Sequence, residues 1–193
     1  MIMWIVIGYL IGSIPFGVVI AKAMGLGNLR DIGSGNIGAT NVLRTGSKKA
    51  AVLTLIFDAG KGALAIYIAR MYVPESTVQL VALAALVGHC FPIWLRFKGG
   101  KGVATFLGIA LALYWPVGLI CCATWLIVGG LSRYSSLAGM LSAGFAPVFA
   151  TFTGYASGAL VLIVMSLLIY ARHWGNIQRL RAGNETKIGA KKA

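Results

Sequence analysis

The feature that most restricts how this chain can fold is its long apolar runs, which alternate with short basic segments. The runs cover residues 1–21, 50–69, 76–95, 102–131 and 135–171. They are continuous and lack the alternating polar and apolar pattern of membrane β-barrel strands. Charged residues make up 11% of the chain, against about 25% in an ordinary soluble domain. The sequence therefore predicts an all-α, polytopic transmembrane helix bundle, forming a single integral membrane domain over residues 1–193.

The two longest runs exceed the length of a single membrane span. Residues 102–131 as one helix would extend about 45 Å, whereas the hydrocarbon core is about 30 Å thick. Trp115-Pro116 interrupts this run, and Thr153-Gly154-Tyr155 interrupts residues 135–171. Splitting both runs at these points gives seven spans, four of them short. Pro15 additionally predicts a kink in the first span.

The distribution of basic residues supports this count and sets an orientation. With the N-terminus outside, seven spans place nearly all of the 17 basic residues on the cytoplasmic side, together with the C-terminus. Splitting only one long run would put the basic C-terminal segment outside, whereas merging both gives five spans with the same orientation. Five and seven spans therefore both stay open. The positive-inside rule also explains the net charge of +13 without a nucleic-acid partner. Residues 190–193 are expected to form a loose tail.

Residues 33–44 form a polar, glycine-rich segment between the first two spans. Its sequence is Gly33-Ser34-Gly35-Asn36-Ile37-Gly38-Ala39-Thr40-Asn41-Val42-Leu43-Arg44. The glycines let backbone amides turn toward one point, and Arg44 adds a guanidinium suited to phosphate or carboxylate. No residue in the segment is acidic. We interpret it as an anion-binding loop for a phosphate group; a plain turn that caps the next helix is the alternative.

Lys101 is the most informative residue of a second basic segment. It lies between Gly100 and Gly102 at the start of a predicted helix. Backbone N–H groups and the positive end of the helix dipole would add to its charge there. This pattern is not a nucleotide P-loop, since neither Ser nor Thr follows the lysine. Lys101 could alternatively be a simple positive-inside marker.

Both histidines lie in segments predicted to be on the cytoplasmic side. His173, close to Asn176, is a candidate anion ligand, whereas His89 beside a span could equally be a structural histidine. Asp58 and Lys61 lie inside the second span at positions that can face each other on a helix. Charges within a span are costly, so the pair is either functional or a structural ion pair that fixes helix packing.

Several classes of chemistry are disfavoured by what the sequence contains. The chain has four acidic residues, too few and too scattered for a multi-carboxylate magnesium site, so we expect no metal and no cofactor. Ser34 lies in no nucleophile elbow, and neither histidine begins a His-x4-Asp signature. Three cysteines occur in apolar surroundings without a zinc-binding or disulfide pattern. A metal-free reaction between pre-bound anions is the interpretation left.

Three motifs in order resemble the bacterial acyl-phosphate-dependent glycerol-3-phosphate acyltransferases. They are the Gly33 to Arg44 segment, His89-Cys90-Phe91-Pro92 with Phe97-Lys98-Gly99-Gly100-Lys101-Gly102-Val103-Ala104-Thr105, and Arg172-His173, Asn176-Ile177, Arg179-Leu180, Gly183 and Glu185. The likeness covers nearly the whole chain, with Trp174 as a departure. It implies acyl transfer from acyl phosphate to the 1-hydroxyl of sn-glycerol 3-phosphate, giving lysophosphatidic acid and phosphate in phospholipid biosynthesis. It also implies a multi-pass cell inner membrane enzyme with a cytoplasmic active site and no obligate protein partner.

The resemblance and the residue chemistry together nominate a set of site residues. The expected catalytic residues are Ser34, Asn36, Arg44 and Lys101. The expected substrate-binding residues are Gly35, Gly38, Thr40, Asn41, Lys61, His89, Gly100, Gly102, His173, Asn176 and Glu185. A membrane transporter of an organic phosphate anion is the alternative function, because short helices with glycine-rich ends also build transporter sites. The one-sided distribution of charge favours an enzyme.

Overall fold

The structure is a computed structural model that describes residues 1–190, and these fold into ten α-helices and two 3₁₀ turns without a β-strand. The all-α prediction is confirmed. The predicted tail lies, beyond Ala190, outside the described residues. The helices are α1 Ile2–Gly12, α2 Phe16–Ala23, α3 Ala39–Leu43, α4 Lys48–Arg70, α5 Glu75–Cys90, α6 Val103–Leu113, α7 Trp115–Ser132, α8 Ser135–Phe152, α9 Ala159–Arg172 and α10 Trp174–Arg181. The 3₁₀ turns are Ile93–Leu95 and Ala156–Gly158.

Both predicted breaks in the long apolar runs are present. One run divides where α6 ends and α7 begins, with Pro116 in the first turn of α7, where a missing N–H costs no helical hydrogen bond. The other divides between α8 and α9, beside Gly154, whose φ is +90°. The first span is also interrupted, because α1 ends before Pro15 and α2 begins after it.

Five segments are long and apolar enough to cross a membrane: Ile2–Ala23, Lys48–Arg70, Glu75–Leu95, Trp115–Ser132 and Ser135–Phe152. Ala156–Arg172 and Trp174–Arg181, which meet at a bend of 61°, make a sixth if they count as one span. α6 has 11 residues, and its length of about 17 Å is too short for the hydrocarbon core. The expectation that α7 and α8 are short is wrong, since each has 18 residues. The count of seven spans and the sidedness stay predictions.

Buried polar side chains satisfy the backbone at the break in the first span. Ser13 Oγ donates to the carbonyl of Leu10 at 2.7 Å and accepts from Trp94 Nε1 at 2.8 Å. Lys61 Nζ donates to the carbonyl of Ile14 at 2.7 Å and to Asp58 Oδ1 at 2.7 Å. The side chains of this ion pair are each 2% exposed. Lys61 thus satisfies a carbonyl released by the break, which favours the structural alternative for this pair.

Glycines bring α4 and α6 into backbone contact. A Cβ added at Gly108 would lie 2.0 Å from the carbonyl oxygen of Ala59, and one added at Gly62 would lie 2.8 Å from that of Thr105. Real Cβ atoms do not approach backbone oxygen so closely, so only glycine permits this spacing. The contact places the first turns of α6 against the middle of α4.

We expect Gly108→Ala to force α4 and α6 apart, lowering the free energy of unfolding by about 1–3 kcal/mol. Gly60→Ala is the matched control, because a Cβ there meets nothing within 4 Å. The control should leave stability unchanged or raise it by up to about 1 kcal/mol through helix propensity. Thermal unfolding of the purified variants in detergent measures both. Equal stability of the two variants would contradict the close packing.

Candidate active site

Segments from three distant parts of the chain enclose one cavity of about 640 Å³. Residues 33–44 contribute one wall, Lys101 and the first turns of α6 a second, and the segment from His173 to Thr186 a third. α4, α7 and α8 complete the enclosure. The three polar segments, which the sequence places on one side of the membrane, therefore meet in space.

Most of the predicted site residues line this cavity. They are Ser34, Asn36, Gly38, Thr40, Asn41, Arg44, His89, Lys101, Gly102, His173, Asn176 and Glu185. Three predicted residues, Gly35, Lys61 and Gly100, are not part of the lining. Lys61 is instead directed at Asp58 and the broken first span, as described above.

Asn41 organises the first wall rather than presenting free donors to a ligand. Its Oδ1 accepts from the Ser34 backbone N–H at 3.0 Å and from Arg44 Nη1 at 3.3 Å. Its Nδ2 donates to the carbonyls of Leu29 at 3.0 Å and Asn36 at 2.7 Å. The side chain is buried, and these bonds use both of its polar atoms. Asn41 therefore positions Ser34 and Arg44, and its own expected contact with substrate stays a prediction.

Gly33 lets the side chain of Arg44 cross the loop. Its φ is +54°, and an added Cβ would lie 2.5 Å from Arg44 Cδ. A side chain at position 33 would therefore displace the guanidinium group from the cavity wall. Glycine is therefore required at position 33 for two reasons: its positive φ and the close approach of the Arg44 side chain.

The second wall depends on a loop that folds back over the end of α5. The backbone N–H groups of Gly99 and Gly100 donate to the carbonyls of Cys90 and His89, each at 3.1 Å. An added Cβ at Gly100 would lie 2.2 Å from His89 Nε2. Its amide is already bonded, so Gly100 supports the loop, and its expected contact with substrate stays a prediction. The next residue, Lys101, faces the cavity.

A continuous set of hydrogen bonds connects Lys101 to the third wall. Lys101 Nζ donates to Asn176 Oδ1 at 2.6 Å, and Asn176 Nδ2 donates to Glu185 Oε1 at 2.5 Å. Glu185 also accepts from Ser136 Oγ at 2.7 Å and from Arg179 Nε at 2.7 Å. Glu185 therefore fastens α8 and α10 together, and Asn176 holds the Lys101 ammonium. The expected contacts of Asn176 and Glu185 with substrate stay predictions.

The charges around the cavity shift the pKa values of its ionisable groups. The pKa of Lys101 is lowered to about 8, mainly by burial and also by the nearby guanidinium groups of Arg179, Arg44 and Arg172, while Glu185 opposes the shift. Burial alone would raise the pKa of Glu185. The hydrogen bonds from Ser136, Asn176 and Arg179, with the charge of Arg179, outweigh burial and hold that pKa below its usual range.

The two histidines occupy different environments. His173 Nδ1 donates to the carbonyl of Ile169 at 2.8 Å, so its Nε2 is the ring nitrogen available to another partner. His89 Nδ1 lies 3.7 Å from Asp58 Oδ1, beyond hydrogen-bond distance, and has no hydrogen-bond partner among the described residues. His173 is thus the better candidate for contact with substrate.

The opposite end of the cavity is apolar and opens to the outer surface of the bundle. Leu107 and Leu111 of α6, with Trp125 and Leu126 of α7, line it beside Leu55 of α4. Leu55 and Leu126 are 47% and 66% exposed, as expected for side chains that face lipid. An apolar chain could therefore enter the cavity from the bilayer.

Several polar lining residues were not nominated from the sequence, among them Asp58, Ser135, Ser136 and Arg179. Ser135 Oγ lies 3.0 Å from Thr40 Oγ1, and Ser136 binds Glu185. The sequence did contain a signal for the two serines. They begin α8 just after Arg133, a basic residue that marks the predicted cytoplasmic side. For Asp58 the sequence predicts only an ion pair with Lys61 and no position in the cavity wall.

The chemical character of the site is a cationic end joined to an apolar end. Lys101, Arg44 and Arg179 provide positive charge, and Ser34 and His173 provide neutral polar groups. Within residues 1–190, no group of three or more His, Cys, Asp or Glu side chains is arranged to hold a metal ion. The arrangement suits a phosphate group attached to, or lying beside, an apolar chain.

The fold and cavity define an integral membrane protein with a basic site next to its lipid-facing surface. Residues 2–183 match a family model described as glycerol-3-phosphate acyltransferase. Curated glycerol-3-phosphate acyltransferases include one from Roseobacter denitrificans, 57% identical over 98% of this chain and 95% of its own length. Another, from Ruegeria sp. strain TM1040, is 59% identical over 99% of this chain and 95% of its own length. The chain belongs to the glycerol-3-phosphate acyltransferase family.

Two solved structures are similar over almost the whole chain. One is PlsY (YgiH), an integral membrane glycerol 3-phosphate acyltransferase, in its glycerol 3-phosphate form, with a TM-score of 0.92 and 40% identity. The other is PlsY in its lysophosphatidic acid form, with a TM-score of 0.88 and 38% identity. Each alignment covers 97% of this chain and 95% of the PlsY chain.

We expect Glu185→Gln to lower the free energy of unfolding at pH 7 by about 2 kcal/mol, because charged hydrogen bonds are replaced by neutral ones. The pKa of Glu185 is depressed in the folded protein, so its stabilisation is present above the unfolded pKa of about 4.5 and is lost as pH falls through the folded value. The difference from wild type should therefore shrink below about pH 4.5. Thermal unfolding from pH 3.5 to 7.5 measures it.

Asp31→Asn is the matched control, because Asp31 is an exposed carboxylate whose bond comes from Asn28. It should change stability little at any pH. A Glu185→Gln penalty that is constant with pH would contradict the role of the Glu185 charge.

Proposed function

We propose that this protein transfers an acyl group from acyl phosphate to the 1-hydroxyl of sn-glycerol 3-phosphate, the first acylation of phospholipid biosynthesis. The products are lysophosphatidic acid and inorganic phosphate. The observation that carries the proposal is the continuity between the cationic end at Lys101 and the lipid-facing end at Leu55 and Leu126. Family membership and the named forms of PlsY support the acceptor and the product.

The donor is inferred from the chemistry that the site can perform. The lining of the cavity carries several cations, which suits two phosphate groups held close together. An acyl phosphate already carries a good leaving group, so no covalent enzyme intermediate is needed. The protein then contributes positioning and electrostatic stabilisation. The apolar end holds the acyl chain of the donor and of the product.

The proposed reaction is a direct displacement at the acyl carbon. The 1-hydroxyl oxygen of glycerol 3-phosphate attacks the carbonyl carbon, an ester bond forms, and the bond from the carbonyl carbon to the phosphate oxygen breaks. A phosphate oxygen, with its second pKa near about 6, accepts the hydroxyl proton. Inorganic phosphate leaves, and lysophosphatidic acid stays beside the bilayer.

Each wall of the cavity has a part in this step. Lys101, with the N-terminus of α6, stabilises the departing phosphate. Arg44 and His173 hold glycerol 3-phosphate: the Arg44 guanidinium binds its phosphate, and His173 Nε2 accepts a hydrogen bond from a glycerol hydroxyl. Asn176 keeps the Lys101 ammonium in place. Ser34 and Asn36 orient the attacking hydroxyl or the carbonyl oxygen.

The proposed topology is seven spans in the cell inner membrane, with the N-terminus outside and the C-terminus in the cytoplasm. α6 makes the fourth crossing although it is short, because it begins within the thickness of the bundle, beside the middle of α4. The basic loops lie on the cytoplasmic side as the positive-inside rule requires. The polar end of the cavity then faces the cytoplasm, where glycerol 3-phosphate is available. Acyl phosphate reaches the apolar end through the bilayer.

The direct test supplies purified protein in detergent with palmitoyl phosphate and radiolabelled glycerol 3-phosphate. We expect lysophosphatidic acid and inorganic phosphate in equal amounts, and no product when palmitoyl-CoA replaces palmitoyl phosphate. Lys101→Ala should abolish most of the activity, whereas Lys49→Ala, which removes the same charge from an exposed position outside the cavity, should not. Product formed only from palmitoyl-CoA would refute the donor. Uptake into proteoliposomes without chemistry would identify a transporter.

The pKa of Lys101 predicts how activity depends on pH. Because that pKa is about 8, the ammonium loses its charge as pH rises through this value and binds a phosphate less strongly. We expect kcat/KM to fall up to about tenfold per pH unit above pH 8, since this parameter reports groups of the free enzyme. Lys101→Arg should have lower activity but no fall near pH 8, because arginine stays protonated. Kinetics from pH 6 to 10 test this, and an unchanged fall in the variant would assign it to another group.

A further inference from the structure

Two arginines outside the cavity contact three consecutive carbonyl groups of the Lys101 loop. Arg30 Nη2 donates to the carbonyl of Lys98, and Arg30 Nη1 to that of Gly35 at 3.1 Å. Arg172 donates from Nη2 to the carbonyl of Gly99 and from Nε to that of Gly100, each at 3.2 Å. Neither arginine is part of the cavity lining. Their guanidinium groups therefore act on the backbone of the loop.

The geometry of the peptide bond fixes what this arrangement does. In a trans peptide, the C=O and the following N–H point in opposite directions. With the carbonyls of residues 98–100 turned to the arginines, the next amides point away from them. Two of these amides, those of Gly99 and Gly100, bond to the end of α5. The amide of Lys101 must also point away from Arg172.

Carbonyl oxygens carry partial negative charge, so their direction matters at an anion site. Carbonyls of residues 98–100 facing the cavity would repel a phosphate and would compete for the Lys101 ammonium. Bonding to a guanidinium holds each oxygen outside the cavity and offsets its charge. Phe91 stacks on Arg172, with the ring centroid 5.0 Å from Cζ, and further fixes the guanidinium plane.

Arg172 also lies one helical turn before Asn176, across the bend between α9 and α10. Arg172 holds the backbone of the loop while Asn176 holds the Lys101 ammonium at 2.6 Å. The same bent pair of helices, at 61°, thus sets both the path of the loop and the position of its charged side chain.

We propose that Arg30 and Arg172 are positioning residues, a clamp on the carbonyls of residues 98–100 that presents Lys101 to a phosphate group. Arg172 contributes more than Arg30 to holding the loop, because it bonds two of the three carbonyls and is partly buried, whereas Arg30 bonds one and is exposed. The part that concerns substrate rests on the acyltransferase function proposed above.

The test uses arginine-to-lysine changes, which keep the charge but lose the planar group that bridges two acceptors. We expect Arg172→Lys to lower kcat/KM about 10- to 100-fold, and Arg30→Lys to have a smaller effect in the same direction. Arg181→Lys on α10 is the matched control, because Arg181 is exposed and outside the cavity lining. The control should be indistinguishable from wild type. All variants are first compared by thermal unfolding in detergent.

A double-mutant cycle separates positioning from general structural damage. If Arg172 acts through Lys101, Arg172→Lys should cause little further loss in a Lys101→Ala background. Additive losses, or a wild-type rate for Arg172→Lys, would overturn the proposal.

A second readout does not need the reaction. Pulse acylation of Lys101 with acetic anhydride, followed by mass spectrometry across pH, measures its apparent pKa, which is about 8 in the intact site. Arg172→Lys should raise this midpoint by about 1 unit toward the ordinary lysine value of about 10.4, because a loosened loop exposes the ammonium to water. An unchanged midpoint would overturn the clamp even if the enzyme proved to use another donor. A shifted midpoint without acyltransferase activity would support the clamp and refute the proposed function.

Discussion

The hydrogen bond from Lys101 to Asn176 is the interaction on which the rest of the site depends. It joins residues 75 positions apart over 2.6 Å, and it is charge-assisted because its donor is an ammonium group. A largely buried ammonium without such a partner would be costly, so the bond couples the placement of the charge to the docking of α10. Through Glu185, the same network reaches α8 and encloses the third wall. The network that encloses the cavity therefore also positions the Lys101 ammonium group.

The short helix α6 positions the other side of the Lys101 site, because it begins at Val103, just after this residue. Beginning near the middle of α4, it places its N-terminal amides within the thickness of the bundle instead of at its surface. Its other end would leave carbonyls unsatisfied, but Arg70 donates to the carbonyl of Leu113 at 2.7 Å and also to that of Ala112. Glu75 pairs with Arg70 at 3.0 Å and balances its charge. The half-length helix therefore has bonded carbonyls at its C-terminal end, and its first residues line the cavity.

Local chemistry explains which features were predictable from the sequence. Pro116 and Gly154 mark breaks because proline lacks a backbone N–H and glycine permits a positive φ at its own position. The apolar runs likewise predict helices from local composition alone. The three polar segments could be assigned to one cavity from charge and order alone. The roles of Asn41, Gly100 and Asn176 could not be predicted, because a motif gives residue types but does not show which of their polar atoms are hydrogen-bonded to neighbouring residues. Ser136 was missed since its partner, Glu185, lies 49 positions away.

A site for two anions must hold its cations close together without neutralising them. Glu185 is compatible with such a site because its carboxylate accepts hydrogen bonds from Ser136, Asn176 and Arg179. Its negative charge is therefore stabilised by these groups and not by Lys101 directly. Lys101 and Arg44 stay near one another, and their mutual repulsion contributes to the lowered pKa of Lys101. In the proposed reaction, a bound phosphate would relieve that repulsion. The free-energy cost of keeping these cations close together would therefore favour an anionic ligand in this cavity.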